Sequence, residues 1–66
     1  EDESGLTERE HQVLAQASNG LTDKEIALTL NISLNTVKTH IHNILSKLHV
    51  RTRREAAKTA KSKGIL

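Results

Sequence analysis

The pattern Thr-x-x-Glu stands three times in the chain, as Thr7-Glu8-Arg9-Glu10, Thr22-Asp23-Lys24-Glu25 and Thr52-Arg53-Arg54-Glu55. In each, the threonine hydroxyl can accept from the third helical N–H while the glutamate reaches back to the threonine amide, so each marks a helix start. Ser33 marks a fourth, with Ile32 and Val37 placed as a hydrophobic staple around its capping hydroxyl; Leu21 and Ile26 staple the second start likewise. Stops are legible too: Asn19-Gly20, Asn31 and Gly64 can each take the positive φ that ends a helix. There is no proline and no strand-like alternation. The chain therefore predicts an all-α domain of four helices over 7–19, 22–30, 33–48 and 52–63.

The apolar residues fit that division. Val13, Leu14 and Ala17, then Ile26, Ala27 and Leu30, then Leu34, Val37, Ile41, Ile44, Leu45 and Leu48 are predicted to share one core. The fourth helix adds only Ala56, Ala57 and Ala60, with Ile65-Leu66 after its end. Such a thin face suits close backbone packing, on the domain or on a second copy. Only Asn31 and Ile32 separate Leu30 from the Ser33 cap, and two helices joined so tightly, with small Ala27 at their crossing, predict a helix-turn-helix.

A chain of 66 residues, 35% hydrophobic, is one small domain with no room for a catalytic cleft beside a cofactor fold. It has no Cys, hence no disulfide and no thiolate metal ligand. A reducing cytoplasm fits that absence, and with no apolar run approaching a membrane span and no signal peptide visible, a soluble protein is expected. Residues 1–5, Glu-Asp-Glu-Ser-Gly, read as the remnant of an interdomain linker ahead of a domain over 6–66, and the chain as a piece of something longer. Charge is divided unevenly. Residues 1–32 carry two basic side chains and seven acidic ones, net −5, whereas residues 33–66 carry eight basic and one acidic, net +7. A basic half of this density points to an anionic partner, nucleic acid foremost. With no Phe, Tyr or Trp to stack unpaired bases, duplex is favoured over single strands.

The third helix sharpens this. At about 100° per residue, its apolar positions fall in one stripe, and opposite lie Asn35, Thr39, His42, Asn43 and Ser46, with Lys38 beside them. That face holds no acid and no large apolar group, and its side chains are of the kinds that meet base edges and phosphates in a major groove. His40 and His42 lie about 200° apart and cannot chelate one ion, so no metal site is expected, and His40 flanks the buried stripe. Nothing organises the serines, histidines and acids into a nucleophile elbow, phosphate loop or metal site, so neither an enzyme nor a cofactor is expected.

Leu6-Thr7-Glu8-Arg9-Glu10, Gly20-Leu21-Thr22, Lys24-Glu25-Ile26-Ala27, Thr36-Val37-Lys38-Thr39-His40, Lys47-Leu48 with Val50, and Arg53 with Glu55-Ala56 together resemble the LuxR/FixJ-type helix-turn-helix domains of bacterial transcription regulators. The resemblance spans Leu6 to Lys63. It implies a third helix that reads double-stranded DNA, a fourth helix in a dimer contact, and an output domain of a two-component response regulator. Carried over by position, Lys38, Thr39 and His42 face bases, and Thr22, Lys24, Ser33, Thr36 and Lys47 reach phosphates. Asn35 joins the first set from the outer face and Asn43 the second; Lys58, Lys61 and Ser62 are assigned to the dimer contact. The sequence departs from the family pattern at His42, where Lys, Arg or Ser is usual, at Asp23, where Asn is frequent, and at Arg54, where many members are apolar. RNA polymerase is a candidate further partner. Two other readings stand beside this one, a sigma-factor-like promoter-binding region and a helical dimerisation or interaction module that binds no DNA.

Overall fold

Each helix in the computed structural model, which describes residues 5–66, starts at a hydroxyl that the sequence marks. The elements are α1 (Glu8–Ser18), α2 (Asp23–Leu30), α3 (Leu34–Leu48) and α4 (Arg53–Ser62), with no strand among the described residues. Of the segment read as a linker, residues 1–4 lie outside the described residues. Thr7 Oγ1 accepts from the Glu10 N–H at 3.1 Å while Glu10 Oε1 accepts from the Thr7 N–H at 2.9 Å. Thr22 and Glu25 repeat the exchange at 3.2 and 2.8 Å. Ser33 Oγ accepts from the Thr36 N–H at 3.1 Å. The third expected box closes only on one side: Thr52 Oγ1 accepts from the Glu55 N–H at 3.1 Å, but Glu55 Oε2 turns to the Arg51 N–H at 3.4 Å. The backbone accounts for this correction. Thr52 has φ −130°, against −73° and −74° at Thr7 and Thr22, and so presents its own amide differently.

All four helices end in one way. A residue of positive φ is followed by an apolar one: Gly20-Leu21, Asn31-Ile32, His49-Val50 and Gly64-Ile65. In each case the apolar residue's N–H donates to the carbonyl five positions back, Leu21 to Gln16 at 3.2 Å, Ile32 to Ala27 at 3.0 Å, Val50 to Leu45 at 3.0 Å and Ile65 to Ala60 at 2.8 Å. This is the bond of a Schellman ending, which satisfies an orphan carbonyl and folds an apolar side chain back onto the helix. All four of those side chains are partly buried against the core. Gly20, Asn31 and Gly64 were expected in this role; His49 was not.

The core comprises Leu6, Val13, Leu14, Ile26, Ala27, Val37, Ile44, Leu48, Ala56 and Ala60. Ala17, Leu30, Ile41 and Leu45 pack at its margin. One expected member, Leu34, faces out instead at 42% exposed, and Leu66, beyond the fourth helix, is 38% exposed. Leu34 is the first residue of α3 and lies at one edge of its stripe, about 60° from the buried centre. Leu66 ends the chain, past the Gly64-Ile65 turn. On α4, Ala56 and Ala60 are fully buried, and their small side chains let the helix lie close on α1 and α3.

Two polar ties cross between helices. Glu10, 3% exposed, is the one buried charged residue among those described, and its Oε1 accepts from Lys47 Nζ at 2.6 Å as well as from the Thr7 amide. One carboxylate oxygen thus joins the start of α1 to the last turn of α3. Burial pushes the Glu10 carboxyl up, but Lys47 and the Thr7 N–H outweigh it and hold the group below the ordinary carboxylate value. Arg53, the first residue of α4, donates to Asp23 Oδ1 and, at 2.9 Å, to the Leu21 carbonyl. That guanidinium pins α4 to the entrance of α2.

Candidate nucleic-acid interface

The tight Asn31-Ile32-Ser33 link sets α3 against α2. Asn31 adopts φ 57° and ψ 47°, and the N–H groups of both Asn31 and Ile32 donate to the Ala27 carbonyl, so the chain reverses within one turn. Ala27, buried midway along α2, leaves room for the two helices to cross.

On α3, Val37 and Ile44 are fully buried and Leu48 nearly so, within an arc of roughly 40°. Diametrically across the helix, Lys38, His42, Asn35, Thr39 and Asn43 occupy an arc of roughly 140°, and all five are exposed. None of them makes a side-chain hydrogen bond or ion pair with another described residue. Their donors and acceptors are free for a partner. The face spans both amide and hydroxyl groups, which donate and accept, beside one full positive charge, and it carries no carboxylate to repel an anion.

The residues expected at phosphates divide by position. Thr22, the N-cap of α2, and Lys24 are exposed at the positive end of that helix. Ser33 and Thr36 stand at the corresponding end of α3, with Ser33 Oγ and Thr36 Oγ1 sharing a hydrogen bond of 2.8 Å. The α3 terminus has no acid in its first turn and offers the favourable end of its dipole to an anion, whereas Asp23 and Glu25 already stand in the first turn of α2. Lys47 is placed differently: it lies on the flank of α3 beside His40, away from the outer face, and its ammonium already holds Glu10. His40 is half-buried, on the flank where the helical spacing put it. On α4, Lys58, Lys61 and Ser62 are exposed. No cluster of three or more His and acidic side chains among the described residues could hold a metal ion, and no described helix is long and apolar enough to cross a membrane.

The ties through Glu10 and Arg53 are the functional supports that sequence reasoning missed. Glu10 was visible as a capping residue, but its partner lies 37 positions on, and Asp23 and Arg53 are 30 apart. Only the fold brings them together.

Residues 4–60 match the model of the GerE family, described as bacterial regulatory proteins of the luxR family. The chain belongs to this family. LuxR-type domains are DNA-binding domains of transcription regulators, and the relatives of this one are of that kind. It is 58% identical over 50 residues to the nitrate/nitrite response regulator protein NarP of Escherichia coli (strain K12), an alignment covering 76% of this chain and 23% of NarP. It is also 58% identical over 52 residues to the transcriptional regulatory protein LnrK of Bacillus subtilis (strain 168), covering 79% of this chain and 24% of LnrK. The chain thus spans about a quarter of the length of these curated relatives. Among solved structures, the response regulator ChrA of a heme-sensing two-component system matches with a TM-score of 0.91 at 35% identity, over 100% of this chain and 33% of that one. The transcription factor GerE matches with a TM-score of 0.84 at 34% identity, over 89% of this chain and 88% of that one. The LuxR-type architecture accounts for the four helices and their order.

Proposed function

We propose that this LuxR-type domain recognises a specific sequence of double-stranded DNA by laying α3 in the major groove. The observation that carries the reading is the outer face of α3, where Asn35, Lys38, Thr39 and His42 stand exposed and unengaged directly behind the side chains that anchor the helix. Asn can pair bidentately with adenine, Lys can donate to guanine O6 and N7, and the Thr39 methyl can meet that of thymine. Thr22, Lys24, Ser33, Thr36 and Asn43 take phosphates and fix the register, a part that carries affinity more than sequence information. Lys47 has two ammonium protons left beyond its bond to Glu10, and with them can reach a phosphate at the helix flank.

On this reading the domain performs no bond chemistry and needs no cofactor. It is the output domain of a cytoplasmic bacterial response regulator, supported by the relatives and neighbours named as such, and two copies occupy adjacent half-sites with the exposed sides of α4, including Lys58, Lys61 and Ser62, turned toward each other. RNA polymerase is the further partner such a regulator requires. Selection of bound sequences from a random duplex library tests the core of the proposal. Enrichment of one motif, repeated as two half-sites, is expected, whereas recovery of the starting composition would exclude sequence-specific recognition.

A further inference from the structure

Arg54, Lys58 and Lys61 are all exposed on α4 and follow one another at intervals of four and three residues. That spacing stacks them on one side of the helix within an arc of roughly 60°, opposite the buried Ala56 and Ala60. None of the three has a carboxylate partner among the described residues: Glu55, the one acid of α4, lies outside that arc and faces the Arg51 amide instead. Like charges at a four-residue interval oppose helix formation, so the column works against the element that carries it. A twofold contact puts the same patch of each copy against itself. Two α4 helices meeting along this ridge would set three cations against three cations with nothing between them.

We infer that the ridge of Arg54, Lys58 and Lys61 is a phosphate-binding surface, occupied by the backbone of the duplex that α3 reads, and that phosphates supply the counter-charge where two copies approach. This rests on the DNA-binding reading above. Charge complementarity selects the occupant: the ridge is an unbroken row of cations about 10 Å long, and one duplex strand carries a negative charge every 3.4 Å or so along its axis. Ser62, beside the ridge, can donate a hydroxyl proton to the same backbone. Arg54 extends the row of cations by a full helical turn beyond Lys58 and Lys61.

The test is the salt dependence of binding to a random-sequence duplex of about 30 base pairs, comparing the chain with its Arg54→Ala, Lys58→Ala, Lys61→Ala variant. Alanine is the best helix former, and a glutamine triple variant serves if the alanine one unfolds. Each phosphate contact contributes about 0.9 to the slope of log K against log salt, so loss of three lowers its magnitude by about 2.7. Sedimentation of the unsubstituted chain without DNA is expected to show a monomer. A fall smaller than about 1.8, two contacts' worth, overturns the inference while leaving α3 recognition intact. So does a DNA-free dimer that the substitutions dissociate, since a second copy would then be the occupant. Absence of duplex binding by the unsubstituted chain would instead remove the underlying reading.

Discussion

Lys38 is the one full charge on the outer face of α3, and its neighbours there are neutral amides, hydroxyls and an imidazole. If Lys38 reads a base as proposed, replacing it with alanine removes that contact without touching the core, so Lys38→Ala is expected to cost about 1–3 kcal/mol on the preferred site and to relax discrimination at the base it reads. Equal weakening on preferred and random duplexes, measured by fluorescence anisotropy, would make Lys38 a phosphate anchor instead. Glu10 acts at the same scale but on stability. Its carboxyl is held below its ordinary value of 4.5 in the folded chain. A depressed folded value means that its contribution is complete above the ordinary value and is lost as pH falls through the lowered one. Glu10→Gln is therefore expected to lower stability by about 1–3 kcal/mol at neutral pH, and to make the remaining stability less sensitive to acid below about pH 4.5. Urea melts of both proteins across that range check the sign. A parallel pH dependence would show that the carboxylate is not the group responsible.

At the scale of the element, the repeated helix ending gives a prediction at the residue least suited to it. His49 holds φ 57° although it bears a side chain, whereas Gly20 and Gly64 adopt positive φ without strain and Asn31 is tolerated there. His49→Gly should raise stability by about 0.5–1 kcal/mol, the relief of left-handed strain less the added freedom of the unfolded chain. A lower thermal midpoint would mean that the imidazole makes a contribution larger than the strain. The same ending explains what sequence reading could and could not find. The caps at Thr7, Thr22, Ser33 and Thr52 were legible because capping is local: each depends on a hydroxyl and an amide three residues apart. Three of the four stops were legible because Gly and Asn advertise positive φ. His49 does not, and the signal that could have found it is the apolar residue following each stop, Val50 here, with its N–H reaching back five positions. Leu34 was misplaced because helical periodicity assigns a side without saying how far the neighbouring helices extend over it. The outer face of α3 was legible as a pattern of exclusion, no acid and no large apolar group. The two ties that fix α3 and α4 were not, since both join residues distant in the chain.

The whole molecule is small, with principal extents of 28 × 22 × 17 Å, so one copy spans less than one turn of duplex. A dimer on two half-sites whose centres lie about one helical turn apart, or a multiple of it, is the arrangement expected. Footprinting at saturation should show both half-sites protected, and protection of one alone would leave the domain a monomeric reader. The core beneath is modest, among the described residues ten side chains, of which two are alanines of α4 and one is Ala27. At this size no domain has stability to spare, which gives weight to how its duties are distributed. Val37, Ile44 and Leu48 hold α3 in place, Glu10 and Lys47 lock its end, and Ser33 and Thr36 shape its beginning. Asn35, Lys38, Thr39, His42 and Asn43 take part in none of this among the described residues. Mutations at those five positions can therefore accumulate without passing through unfolded intermediates, and a duplicated gene could acquire a new operator preference in single steps. On the proposed reading, a substitution at exposed His42 would be one such step: a change of target vocabulary written on a scaffold that does not have to be rebuilt to receive it.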